Sequence, residues 1–270
     1  MTLTDQTPAT RRRPLASLAK AEYLQFRRNS TLMVMGTTFP IGLPLIMLFI
    51  GGRDGSPTAQ LAMTTIEMLA LMALLFVQYY SMLSMITTRR GEGVLKRLRT
   101  GEATDWQIQA APAVPGALLT AVSTVVVVGV VYALGAPAPV NPVLPILAIV
   151  GGIVVFSLLA LATSGFTKNA ESAQITSLPI MAVSMVGLSS IVAVLPDRFA
   201  QIAEWTPFAA VSELISLGVT GRSAGVAETE AALDFAATFT HSLQPLATLG
   251  VWAALALAAT TTRFRWDDRG

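Results

Sequence analysis

Charge leaves this chain for long stretches and then returns in short bursts. No Asp, Glu, Lys or Arg occurs from Asn29 to Gly52, from Met68 to Thr88, from Trp106 to Thr167, from Ser172 to Pro196, or from Phe235 to Thr262. The apolar residues fill these intervals as blocks rather than as stripes at a period of 3.6, the pattern of helices surrounded by hydrocarbon. A helix needs about 20 apolar residues to cross roughly 30 Å of lipid core. The block from Trp106 to Thr167 is long enough for two crossings, and LGAPAPVNPVLP at 134–145 divides it. Six spans follow, near 31–50, 61–86, 108–134, 143–165, 175–195 and 244–262. Only helices and closed barrels satisfy the backbone in lipid, and runs this continuous predict helices. The expected fold is an all-α integral membrane protein. Residues 1–30 form a tail and an interfacial helix, 31–262 the membrane domain, and 263–270 a second tail.

Composition agrees with the pattern. Of 270 residues, 53% are hydrophobic and 13% charged, where a soluble domain carries about 25% charge. Mean hydropathy is +0.62. The absence of cysteine removes disulfide and thiol chemistry. No short apolar segment with a small-residue cleavage site precedes the first block, so no signal peptide is expected. The distribution of positive charge sets the orientation, because Lys and Arg collect in cytoplasmic loops. With the N-terminus inside, Arg11, Arg12, Arg13, Lys20, Arg27, Arg28, Arg89, Arg90, Lys96, Arg97, Arg99, Lys168, Arg263, Arg265 and Arg269 all lie inside. Of eighteen Lys and Arg, only Arg53, Arg198 and Arg222 fall outside. Both termini are expected in the cytoplasm.

Three segments outside the spans carry their own signals. PLASLAKAEYLQFRRNS, 14–30, places Leu15, Leu18, Ala19, Tyr23 and Phe26 at helical spacing, with Lys20, Arg27 and Arg28 largely apart from them. This predicts a helix lying in the membrane interface, the plainer alternative being a basic tail that only sets topology. RRGEGVLKRLRTGEATDW, 89–106, gathers Arg89, Arg90, Lys96, Arg97 and Arg99 between two spans. Gly91 and Gly93 interrupt the preceding helix; Val94, Leu95 and Leu98 share one face, and Lys96, Arg97 and Arg99 the other. Gly101 is a stop, and Thr104 with Gln107 has the spacing of a capping box. A short amphipathic helix results, with Glu92 at its entrance, suited to docking a partner; charge alone would also fit a loop that merely obeys the orientation rule. The third segment, 195–243, repeats Phe199, Ile202, Trp205, Phe208, Val211 and Leu214 at three-residue spacing. The run from Trp205 to Val219 is too short to cross and is interrupted by Pro207 and Glu213, which predicts helices that dip into the outer leaflet and return. The stretch from Glu228 to Asp234 is acidic and expected to be solvated.

Catalytic and metal motifs are missing. No G-x-x-x-x-G-K-[ST] loop is present to cradle nucleotide phosphates, and no H-E-x-x-H or G-x-S-x-G occurs. His241, the single histidine, has no partners in the sequence for a metal cluster or a triad. The chain is not expected to be an enzyme or to bind a cofactor or metal. Glu67 is the one ionisable residue inside a proposed span. Carboxylates in membranes are costly and mark function, but Glu67 lies near the outer end, where pairing with an arginine or a backbone donor is the alternative. Ser81, Ser84, Ser123, Thr124, Ser157, Thr163 and Ser164 are candidates for a polar pathway, as are Trp205 and Phe208 for its apolar lining. Small hydroxyl residues also serve as contacts between membrane helices.

The string TRRGEGVLKRLRTGEATDW after the second span resembles the corresponding loop of type 2 ABC exporter permeases, in particular the daunorubicin and multidrug exporter permeases of actinobacteria. In those proteins an acidic-Gly-Val-Leu-Lys-Arg-Leu-Arg string is common, and Glu92 to Arg99 follows it. The segment ALATSGFTKNAESAQITSLPIMAVSMVGLSSIVAVLPDRFAQIAEWTPFAAVSELI is similar to the family's fourth span through its outer helix, including the turn at Asn169–Glu171 and the prolines Pro196 and Pro207. TGEATDW stands where the family has a Thr-Pro turn. The resemblance implies a dimerising permease without an ATPase site. A separate ATP-binding subunit, carrying ATP and Mg, would dock under 89–106. It also implies export of a drug-like, lipid or other amphiphilic substrate across a bacterial cytoplasmic membrane, with no nucleic acid partner. An ion-coupled secondary transporter would show repeats and midplane ionisable residues; a toxin-sequestering immunity protein is a further alternative.

Overall fold

The computed structural model describes residues 14–267 apart from Asn29, Asp54, Ala227 and Glu228. Arg11, Arg12, Arg13, Arg269 and Glu228 therefore lie outside the described residues. Among the described residues all regular structure is helical. In chain order the helices are α1 (Pro14–Arg28), α2 (Ser30–Thr37), α3 (Leu43–Gly51), α4 (Ala59–Met72), α5 (Ser81–Gly91), α6 (Val94–Arg99), α7 (Asp105–Ala110), α8 (Ala113–Ala133), α9 (Val143–Ser164), α10 (Ser172–Val186), α11 (Ser189–Val192), α12 (Asp197–Ala203), α13 (Pro207–Thr220), α14 (Phe235–His241) and α15 (Leu243–Arg263).

Among the described residues four helical runs are long and apolar enough to cross a membrane: Ala59–Gly91, Asp105–Ala133, Val143–Ser164 and Leu243–Arg263. The segments expected to supply the first and fifth spans are more broken. α2 passes into α3 through a π-helical turn, Thr38–Gly42, that contains Pro40. Proline has no N–H to give, so the local ladder is rearranged around it. α10 holds Pro179 and ends at Val186, and α11 follows it after a two-residue break. A second π-helical stretch, Ala73–Tyr80, joins α4 to α5, so that run remains one long helix.

Burial shows which of these helices is central. The most apolar window of Ala59–Gly91 is 72% buried inside the chain, against 33% for Asp105–Ala133 and 28% for Leu243–Arg263. A helix apolar all round needs neighbours on every side, and α4 buries Ala62, Met63, Ile66, Leu69 and Ala70 together. α8 and α15 instead leave Val125, Leu255 and Leu257 exposed, so apolar side chains line the outside of the bundle as they do in a membrane protein. Against the central helix pack α9, α8 and α13. α13 is short but buried along nearly its whole length, and it is wedged between α4, α9, α10 and α15. Thr206 caps its start by accepting from the Ala209 N–H at 3.3 Å, and Gly221 ends it in the left-handed conformation at φ 69°. Lipid cannot satisfy the open ends of a short helix, and here the surrounding protein does so.

Polar side chains hold these contacts in register. Within the π-helical stretch Gln78 donates to the Ser157 hydroxyl at 2.6 Å and to the Ala113 carbonyl at 3.2 Å, joining α9 and the start of α8 to the central helix. At the end remote from α6, the fully buried Asn141 donates through its side chain to Thr238 at 2.9 Å and through its backbone to Gly218 at 2.8 Å. One residue thus ties the 134–142 turn to both α13 and α14.

Candidate functional site

The elbow between α5 and α7 folds for local reasons. α5 runs to Gly91, and Gly93 takes φ 68°, a left-handed conformation that side chains other than glycine rarely adopt. That turn redirects the chain into α6. Leu95 becomes buried and Leu98 packs against the core, Val94 is half-buried, and Lys96, Arg97 and Arg99 stay exposed. The amphipathic division expected from the sequence is therefore present. Gly101 closes the turn by donating to the Leu98 carbonyl at 3.1 Å. The capping box at Thr104 forms, with the Gln107 side chain accepting from the Thr104 N–H at 3.0 Å. Arg99 pairs with Asp105 at 3.3 Å and lies 4.7 Å from the Trp266 ring centroid. Arg97 donates to the Glu92 carbonyl at 3.1 Å.

Arg89 and Arg90 behave differently from the exposed cations with which the sequence groups them. Both are buried, at 6% and 2% exposure. Arg89 forms an ion pair with the buried Glu22 of α1 and donates to Gln25 at 2.8 Å. Arg90 reaches the other way and donates to the carbonyls of Ser164 at 2.8 Å, Lys168 at 3.2 Å, and Thr167. These carbonyls belong to the last turn of α9 and the chain just past it, where helix acceptors lack intrahelical donors and a cation is favoured. Neither arginine is available to a docking partner. They fasten the elbow to α1 on one side and to α9 on the other.

Glu67 is 3% exposed, in α4 towards the end remote from the elbow. It accepts from the Ser189 N–H at 2.7 Å, from the Ser189 hydroxyl at 2.7 Å, and from the Ser212 hydroxyl. All three contacts are donated to the Glu67 side chain. The carboxylate joins α4 to the start of α11 and the middle of α13. One of the three donors is a backbone N–H, the alternative set beside a transport role in the sequence, and two are serine hydroxyls.

Of the other pathway candidates, Phe208 stands one helical turn before Ser212 on α13, whereas Ser81 and Ser84 lie further along the central helix. Ser81 is buried and donates to the Phe76 carbonyl at 3.1 Å, while Ser84 is half-buried. Both lie on the same long helix as Glu67 but roughly 20–25 Å further along it. Phe208 is fully buried in the core, whereas Trp205 is 56% exposed and its carbonyl accepts from the Trp252 indole at 2.8 Å.

Three participants were missed in the sequence. Glu22 is the one acid of α1 and falls on its apolar stripe, four residues from both Leu18 and Phe26, and an acid on that face was the available signal. Ser189 and Ser212 carried no signal, since serine in a membrane helix is ordinary.

The profile for ABC-2 type transporters matches residues 14–216, most of the chain and all of the elements just described from α1 into α13. The chain belongs to the ABC-2 type transporter family. No curated protein gives a significant match. Membership makes the chain a membrane-embedded permease component of an ABC transporter and implies association with an ABC ATP-binding subunit.

Proposed function

We propose that this chain is the permease subunit of an ATP-driven exporter and that α6 is where the ATP-binding subunit engages it. The observation that carries the reading is the division of labour among the elbow's cations. Lys96 and Arg97 are exposed on α6, while Arg89 and Arg90, a few residues earlier, are locked into α1 and α9. A partner pressing on α6 would move a rigid corner rather than a loose loop. α5 continues without interruption into α4, so the push would travel along the central helix towards α13 and α11. The partner must bind the two transport conformations with different free energies for any such push to do work.

In this reading the chain crosses the bacterial cytoplasmic membrane six times, with the broken runs α2–α3 and α10–α11 as the first and fifth spans and both termini in the cytoplasm. A second permease copy completes a dimer, and a drug-like, lipid or other amphiphilic substrate moves outward by alternating access. α12 and α13 form the outer cap, and Glu67 positions that cap rather than touching substrate. ATP and Mg reside on the partner.

The test is to replace Glu92, Lys96 and Arg97 with Ala together and measure co-purification of the ATP-binding subunit and its stimulated ATPase activity in proteoliposomes. Loss of both, with the permease still folded, is the expected result. Retained binding and coupling would place the dock elsewhere.

A further inference from the structure

Just past the last long helix the chain turns back to close a basic recess. A cavity of about 750 Å³ lies between α6, the end of α9 and the tail beyond α15. Its walls include Lys96 and Arg99, Phe166, and Arg263, Arg265 and Trp266. Asp267 is the one acid among the lining residues. Arg99 is already held by Asp105 and Trp266, and Arg263 lies 5.8 Å from the Phe166 ring centroid. Lys96, Arg263 and Arg265 form no ion pair among the described residues. Like charges crowded into one recess repel, and an anion relieves that repulsion.

The height of the recess selects which anion. Ser164 and Arg263 mark the ends of two membrane-long helices, so the cavity opens at the level where hydrocarbon gives way to headgroups. Cations and aromatic rings congregate there, and basic pockets between membrane helices hold anionic headgroups. Phe166, whose ring lies against Arg263, is 61% exposed. Apolar surface for an acyl chain therefore lies beside the charge.

We propose that this recess binds the phosphate headgroup of an anionic glycerophospholipid from the leaflet on the elbow side. The lipid bridges α6 to the tail after α15, so membrane composition bears on the element proposed above as the ATPase dock. The inference rests on the chain being a membrane-embedded permease, not on the direction of transport or on the dock itself. Arg263 and Arg265 lie outside the elbow, so failure here leaves the docking proposal standing.

The full-length chain, reconstituted in phosphatidylcholine discs doped with phosphatidylglycerol, tests this by native mass spectrometry of the retained lipid. Arg263→Ala/Arg265→Ala is expected to lower phosphatidylglycerol retention roughly tenfold or more. Arg28→Ala/Lys168→Ala removes the same charge from exposed positions near the same face and is expected to change retention little. Arg263→Lys/Arg265→Lys, which keeps the charge, is expected to retain the lipid, and this separates lost binding from lost folding. Equal losses in both alanine pairs would reduce the effect to diffuse surface attraction and overturn the site. Unchanged retention in the recess pair would overturn it as well. So would release of lipid from the unmodified chain by millimolar inorganic phosphate, which would make a soluble anion the occupant. Loss of the ATP-binding subunit from the recess pair with lipid retention intact would assign the surface to protein and overturn the proposal.

Discussion

Replacing Glu67 separates a structural tie from a transport residue. Glu67→Ala removes the acceptor for three donors at once. The two serine hydroxyls can turn to carbonyls of their own helices. The Ser189 N–H cannot, and a buried orphan donor costs about 1–3 kcal/mol. Lost charge-assisted bonds add to this, while relief from burying a carboxylate offsets part of it. The net expectation is a loss of about 2–4 kcal/mol, or a fall in Tm of roughly 5–15 °C for a chain of this size. Glu67→Gln is different. The Ser189 N–H and the Ser212 hydroxyl both address one oxygen, Oε1, which an amide keeps. The Ser189 hydroxyl on the other oxygen can accept from the new NH2 instead of donating. The cost should stay below about 1.5 kcal/mol. Thermal unfolding in detergent and transport in proteoliposomes, measured on both variants, check the argument. Glu67→Gln should keep transport; Glu67→Ala should lose stability and transport together. A Gln variant with an unchanged Tm and abolished transport would refute the reasoning and give the carboxylate to substrate or protons.

Other expectations follow from the same contacts. Arg90→Ala strips a buried cation from three carbonyls at the end of α9 and should cost about 3–5 kcal/mol, with Arg90→Lys in between because an ammonium lacks the guanidinium fork; the order of Tm values checks it. Leu95→Ala empties the buried face of α6 and should cost about 2–4 kcal/mol, weakening the elbow in limited proteolysis before the rest of the chain. Gly93→Ala meets no neighbouring atom, so its cost of about 1–2 kcal/mol should come from the left-handed backbone alone; Gly93→Asn, which tolerates that region, should recover part of it in the same thermal assay. Gly218→Ala would set a methyl group 2.3 Å from the Pro145 ring and 2.8 Å from the Asn141 carbonyl, and the resulting overpacking should lower stability by about 1–3 kcal/mol.

Much of the architecture was legible because hydropathy is a property of each segment separately. Whether a helix of twenty apolar residues prefers lipid hardly depends on where the rest of the chain lies, so the charge-free blocks announce membrane helices on their own. The same holds for the elbow. Gly93, the face bearing Leu95, and the Thr104–Gln107 capping box are contacts within a few residues, and α6 appears where local spacing places it. The broken character of α10 was less visible, since its hydropathy is continuous and only Pro179 and Gly187 hint at the interruption.

The use to which each polar side chain is put was not local. Arg89 and Arg97 share a charge and a loop, yet one is buried against a carboxylate 67 residues earlier and the other remains exposed. Glu67 finds its donors 122 and 145 residues away, on helices whose approach no periodicity encodes. An apolar residue needs only to leave water, and many neighbours serve. A buried charge needs particular atoms at hydrogen-bond distance, and those come together only when the packed helices fix their relative positions.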